Sequence, residues 1–297
     1  MSLLSQIIQF LFTGITIGSI YAMVGMGFTM IYNATGIINF AQGEFVMLGG
    51  MIMVWLTSVA HVPMPLGFCI TVVVVMLLGA LFERLAIYPL KKPSVLILII
   101  ITLAGSILAK GAAMLIWGKQ TYSLPHFSGE EPITVAGAAI LPQTLWILGI
   151  LVGIVGALSL FFNYTMLGKA MRACAINPIA ASLVGINVRF MVLLSFALSA
   201  ALGAIAGICI TPLLLMEFDR GALLGLKGFC AAVLGGLRNS TRAVVAGLLI
   251  GILESFGSGF ISSAYKDALA LLVLLAVLLL RPSGLFGSVE ESRLKDF

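Results

Sequence analysis

Long apolar runs broken by short polar ones make up the chain. Apolar segments cover about 7–32, 40–60, 64–83, 94–117, 142–163, 188–215, 222–237, 241–260 and 265–281. Most reach the roughly 20 residues that a helix needs to cross a hydrocarbon layer about 30 Å thick. Stretches such as VLILIIITLAGSILAKGAAMLIW are apolar throughout, whereas strands of a membrane barrel alternate apolar and polar positions. Helices follow, because in lipid the backbone must pair its own N–H and C=O groups. The expected fold class is an all-α integral membrane protein: a polytopic bundle of 8–9 transmembrane helices forming a single domain over residues 1–297. The segment 222–237 is short and glycine-rich, so it reads either as a ninth crossing or as a broken or re-entrant helix.

Basic residues set the orientation. They cluster at Arg84, Lys91 and Lys92, at Lys169, Arg172 and Arg189, at Arg238 and Arg242, and from Arg281 onward. By the positive-inside bias these clusters mark the cytoplasmic side. Threading the chain through them puts the N-terminus and the 118–141 loop outside, and the 164–187 loop and the C-terminus inside. The parity closes with nine crossings; with eight, the N-terminal orientation must be reconsidered. Composition agrees, with 61% hydrophobic residues, 9% charged residues and a mean hydropathy of +1.19. The loop clusters also account for the net charge of +5, so no nucleic-acid partner is expected. The first basic residue is Arg84; without a positive n-region, the first helix is expected to be retained rather than cleaved.

Glycine changes the picture of packing. Gly14, Gly18, Gly25, Gly27, Gly49, Gly50, Gly203 and Gly207 fall inside the expected spans, where small residues let helix backbones approach closely. Two hairpins resemble each other loosely, one ending in YNATGIINFAQGE before Gly49 and Gly50, the other GFCAAVLGGLRNSTRAVVAGLLIG. This hints at a duplicated architecture.

Candidate chemistry is sparse. A phosphate-binding loop of the GxxxxGK(S/T) type is missing, so the chain is not expected to hydrolyse ATP through a P-loop of its own. His61 and His126 are the only histidines and suggest neither a metal site nor a catalytic triad. Cys69, Cys174, Cys209 and Cys230 lack CxxC spacing and read as packing residues. The most informative polar segment is the inner loop NYTMLGKAMRACAINPIAASLVGINVRF. Within it Asn177 suits an N-cap, Pro178 the first helical position and Gly185 the residue past the end. Ile179 and Leu183 share one face of that short helix. It is either a docking knob on the cytoplasmic surface or a connector lying on the membrane.

The stretch GKAMRACAINPIAASLVGIN resembles the coupling segment of ABC importer permeases, in the version found in LivH-type branched-chain amino acid permeases. GSIYAMVGMGFTMIYNATGIINFAQGEFVMLGG, GLKGFCAAVLGGL and the terminal RPSGLFG resemble the same family, in order, across nearly the whole chain. The resemblance implies a permease subunit of the bacterial inner membrane that pairs with a second permease. It implies further that a periplasmic binding protein delivers substrate and that two cytoplasmic subunits bind ATP and Mg and drive transport. Carried over as ATPase-coupling residues are Lys169, Arg172, Ala175, Asn177, Pro178, Ala181, Ser182 and Gly185. Bulky charged replacements at Ala181 and Gly185 are expected to uncouple transport. The implied substrates are leucine, isoleucine and valine, although related permeases handle other amino acids, amides, urea or aromatic acids.

Polar groups inside apolar segments are the remaining candidates. Asn39, Gln42 and Glu44 are expected where a cytoplasmic turn enters the second helix. Glu44 then either neutralises that helix start or lines the inner mouth. Tyr21 and Lys227 could line the path, and Lys227 could equally snorkel or pair between subunits. Glu254 is expected to face protein, because a charge facing lipid costs roughly 2.5–3.5 kcal/mol on insertion scales. On the outside, Glu130 and Glu131 and the turn carrying Glu217, Asp219 and Arg220 read either as solvated loops or as docking points for the binding protein. A secondary transporter or channel working without an ATPase is the alternative reading, and a membrane scaffold or enzyme subunit a further one. The short inner helix speaks against the first and the missing catalytic constellation against the second.

Overall fold

The computed structural model describes residues 3–90, 94–135, 137–260, 262–281, 284 and 285. Lys91 and Lys92, the basic residues beyond Arg281 and most of the RPSGLFG motif lie outside the described residues. Each apolar segment forms a helix. These are α1 (Leu3–Thr35), α2 (Gln42–Ser58), α3 (Met64–Phe82, continued by a π-turn at Glu83–Ile87), α4 (Val95–Trp117) and α5 (Pro142–Tyr164). After the inner helices α6 (Met166–Ile176) and α7 (Pro178–Leu183) follow α8 (Val188–Ile210), α9 (Arg220–Gly235), α10 (Ser240–Phe260) and α11 (Lys266–Leu280). A two-stranded hairpin, β1 (Ile133–Val135) with β2 (Ala138–Ile140), lies before α5.

Six helices among the described residues are long and apolar enough to cross a bilayer: α1, α3 with its π-turn, α4, α5, α8 and α10. The helices α9 and α11, with 16 and 15 residues, fall short of a full span, and α2, with 17, only just reaches one. The basic side chains of the inner loops gather at one end of the bundle. Arg189 donates to the Tyr88 hydroxyl at 3.3 Å and the Arg84 guanidinium lies 3.9 Å from the Tyr88 ring centroid. The hydrogen bond from Arg189, with Arg84 beside it, holds the Tyr88 hydroxyl below its ordinary pKa. At the same end polar side chains cap helix starts: Ser94 for α4, Thr165 for α6, Asn187 for α8 and Asn239, which accepts from the Arg242 N–H, for α10.

The core is held by backbone contact. Gly14 and Gly18 on α1 face Gly247 and Gly251 on α10, the two glycines of each helix standing four positions apart as in a small-xxx-small motif. A Cβ at Gly18 would sit 2.8 Å from the Leu248 Cα, one at Gly14 2.6 Å from the Ile252 Cα, and one at Gly247 2.6 Å from the Ala22 N. Gly25 meets Gly228 of α9, Gly43 of α2 meets Gly221 and Gly225, and Gly49 lies against Ala204 of α8. The two hairpins singled out in the sequence, α1–α2 and α9–α10, therefore pack on each other through glycine. The central helix α8 is mostly buried, while α4 and α5 expose large apolar residues such as Ile107, Leu115 and Val152, surfaces suited to lipid or another apolar helix.

Replacing Gly18 or Gly251 by Leu is expected to destabilise the protein by at least the roughly 1–3 kcal/mol of core overpacking, lowering the melting temperature in detergent. Gly111→Leu on α4, where an added Cβ meets nothing within 4 Å, is expected to leave it unchanged.

Candidate functional site

The glycine stripe on α1 carries Tyr21 three residues after Gly18, and that on α10 carries Glu254 three residues after Gly251, so both side chains look into the same interface. Lys227 of α9 completes the set. The Tyr21 hydroxyl donates to Glu254 Oε2 at 2.9 Å. Lys227 Nζ lies 2.8 Å from Glu254 Oε1 and 2.6 Å from Asp267 Oδ1 and donates to the Tyr21 hydroxyl at 3.1 Å. The three N–H donors of the ammonium are all engaged within the chain. Lys266 Nζ stands 3.5 Å from Glu254 Oε1. Lys227 and Glu254 are both buried. Glu254 lies about 21 Å along α10 from Ser240, at about 1.5 Å per residue, which puts this cluster in the outer half of the bundle.

A second polar group lies deeper than the sequence suggested. Gln42 donates from Nε2 to the Ser199 carbonyl at 3.0 Å and accepts from the Ser199 hydroxyl at 2.6 Å. The Glu44 Oε1 accepts from the Ser106 hydroxyl at 2.8 Å, while its Oε2 is buried with no hydrogen-bond partner among the described residues. Ser199 and Ser106 each stand about 17 Å from the inner ends of α8 and α4. The turn before α2 thus re-enters the protein to mid-depth instead of lying at the cytoplasmic mouth. Asn39 shapes that turn: its Oδ1 accepts from the Ala41 N–H at 3.1 Å. Tyr21, Asn39, Gln42, Glu44 and Lys227 are all buried within the chain.

The outer turn is also recessed. Asp219 pairs with Lys110 at 2.7 Å and Arg220 with Glu217 at 2.8 Å. Lys110 sits about 10 Å below the outer end of α4, so the start of α9 is drawn below the surface. Glu217, Asp219 and Arg220, read from the sequence as an outer turn, each form an ion pair within the chain. Glu130 and Glu131 are exposed.

On the inner face the local reading of the loop holds in detail. Asn177 Oδ1 accepts from the Ala180 N–H at 2.9 Å and Pro178 opens α7. Gly185, with φ of 88°, closes it. The Gly185 N–H reaches the Ser182 carbonyl and the Ile186 N–H the Ala181 carbonyl, the paired bonds of a left-handed helix stop. Ala181 is buried and belongs to the same core as Met171, Cys174 and Met191. Ile176, Ile179, Leu183 and Val184 point outward, each more than 70% exposed. A bulky residue at Ala181 would therefore first dislodge α7 from its own bundle, and a probe of docking belongs on Ile179 and Leu183. Lys169, Asn177, Pro178 and Ser182 are exposed and Ala175 half-buried. Arg172 donates to the Phe162 carbonyl at 2.7 Å and to Asn163, tying α6 to the end of α5.

Residues 10–278 match the model of a family described as the permease component of branched-chain amino acid transport systems. The chain belongs to that family. It is 32% identical to the high-affinity branched-chain amino acid permease LivH of Escherichia coli over 301 residues, covering 96% of this chain and 97% of the relative. To BraD of Pseudomonas aeruginosa it is 33% identical over 305 residues, with 96% and 97% covered. Among solved structures, PsaBC from Streptococcus pneumoniae in complex with Fab matches with a TM-score of 0.50 and 12% identity, over 91% of this chain and 90% of that one; it speaks for the fold. Family membership favours the permease subunit over a self-contained transporter or channel, and the permease is a multi-pass membrane protein.

Removing one member of a buried ion pair costs about 3–5 kcal/mol, so Lys227→Met is expected to destabilise the permease strongly. Lys227→Met combined with Glu254→Gln is expected to recover part of the loss in thermal unfolding of the purified protein; strictly additive effects would overturn the pairing.

Proposed function

We propose that this chain is a membrane-spanning subunit of a binding-protein-dependent ABC importer of the bacterial inner membrane, carrying leucine, isoleucine and valine. A second permease subunit completes the path, and two cytoplasmic subunits bind ATP and Mg and supply the energy. The observation that carries this reading is the α6–α7 segment: a capped helix at the basic end of a family permease, with four large apolar side chains turned out as an apolar partner surface would require. Lys169, Ser182 and Gly185 flank that surface. In this reading Arg172 and Ala181 transmit the ATPase's movement inward, because they anchor the segment to the bundle. Tyr21, Asn39, Gln42, Glu44 and Lys227 hold the helices that border the path. The binding protein docks on the outer face, where Glu130 and Glu131 offer exposed charge; Glu217, Asp219 and Arg220 sit below it, at the entrance.

ATP-dependent uptake of labelled leucine into proteoliposomes holding the complex and its binding protein is the test. Uptake requiring both ATP and the binding protein is expected; uptake without ATP would overturn the reading. Ile179→Glu and Leu183→Glu are expected to leave membrane insertion intact while cutting co-purification of the ATP-binding subunits and uptake by more than tenfold.

A further inference from the structure

Between the outer end of α8, the first turns of α9 and α11 and the middle of α1 lies a cavity of about 180 Å³, lined by Arg220, Lys227 and Asp267 together with Leu214, Leu223 and Leu224. It is smaller than the roughly 300 Å³ at which pockets for drug-sized ligands begin, in the range of a single amino acid. Its charges are unequally committed. Lys227 has all three donors engaged by Tyr21, Glu254 and Asp267 and has nothing left for a ligand. Asp267 gives Lys227 only its Oδ1, and its side chain is 61% exposed. Arg220 holds Glu217 through Nε, with its side chain 43% exposed, leaving the two terminal nitrogens as a donor fork.

One free carboxylate oxygen and one free guanidinium edge thus share a small cavity with Lys266, whose ammonium is turned to Glu254 at 3.5 Å, and with a wall of Tyr21, Ile210, Met216 and four leucines. That arrangement complements a molecule with an ammonium, a carboxylate and an aliphatic side chain. Electroneutrality points the same way. Lys227, Lys266 and Arg220 are balanced by Glu254, Asp267 and Glu217, so a ligand of net charge would unbalance a cluster whose centre, Lys227 with Glu254, is buried. A zwitterion would not. The helix ends agree as well: Arg220 opens α9, where the positive end of the helix dipole favours a carboxylate.

We propose that this cavity is a recognition site for a zwitterionic α-amino acid with a branched aliphatic side chain. Its carboxylate lies on Arg220, its ammonium on Asp267 and its side chain against Leu214, Leu223 and Leu224. The proposal rests on the importer reading and adds to it a selectivity element within the permease itself.

Equilibrium binding of labelled leucine to the full chain in nanodiscs, without ATP or binding protein, tests it. Saturable binding within the millimolar range is expected. Unlabelled isoleucine should compete, whereas 4-methylpentanoate, which lacks the ammonium, and isoamylamine, which lacks the carboxylate, should compete at least tenfold less well. Asp267→Asn should weaken binding roughly tenfold. Because that change also touches Lys227, Leu223→Trp serves as a second variant: it fills the cavity from its exposed wall and should abolish binding with the melting temperature unchanged. Leucine binding that survives both variants places the site elsewhere, and equal competition by the amine or the acid removes the zwitterion. No binding to the chain, alongside ATP-driven uptake by the complex, overturns the site and leaves the importer reading standing; loss of both overturns both.

Discussion

The backbone contact between α1 and α10 is the interaction on which the rest depends. Association in lipid gains nothing from hiding apolar surface, so it relies on close packing and on polar contacts within the bundle. Gly14 and Gly18 against Gly247 and Gly251 bring the two axes near enough for both. Only at that separation can the Tyr21 hydroxyl reach Glu254 directly, and only then does a buried lysine from a third helix find its partners already in place. A side chain at any of the four positions would hold the helices apart and leave Lys227 and Glu254 as separate charges in a medium of low polarity, where each costs several kcal/mol.

The same closeness explains how helices can begin inside the bundle. A helix start leaves unpaired N–H groups, and in hydrocarbon these must be met by protein. At the basic inner end Ser94, Thr165, Asn187 and Asn239 meet them with side chains. The starts of α2 and α9 have no such side-chain cap. They lie against each other instead, Gly43 on Gly221 and Gly225, with Asn39 shaping one turn and the Glu217–Arg220 pair the other. Short helices and recessed charges are consequences of one arrangement: polar groups that would be untenable in lipid sit in the space that the short helices leave.

Much of this was legible in the sequence. Apolar run length located each of the six long apolar helices among the described residues, and Asn177, Pro178 and Gly185 marked the ends of α7, because capping is decided by neighbours within a few residues. The glycine spacing announced tight packing without naming the partner helix, since a small-xxx-small stripe carries no address. Depth was not legible. Asn39 to Glu44 and Glu217 to Arg220 follow or precede polar turns, and a turn at the membrane surface looks the same in sequence as one that dips into the bundle. The orientation of α7 was hidden for a related reason: with Ile179 and Leu183 on one face and Ala181 on another, burial by hydrophobicity would turn the large residues inward, and the structure does the reverse.

The long helix α1 joins the two ends of the permease. Its middle holds Tyr21, while its inner turns, at Met26, Met30 and Asn33, line a cavity of about 470 Å³ that Met171 and Arg172 of α6 also line. Because α1 is fixed to α10 by glycine contact, the two helices cannot shear past each other without steric clash, so a push from α6 is delivered to both. A displacement of that pair moves Tyr21 and Glu254 together, whereas Lys227 and Asp267 sit on α9 and α11, which join the pair through fewer contacts. The bonds from Lys227 to Asp267 and to Glu254 therefore join α9 to both α10 and α11. A lysine shared between two carboxylates on different helices thus ties the two short helices to the α1–α10 pair at one buried point, where a charge without partners would be costly.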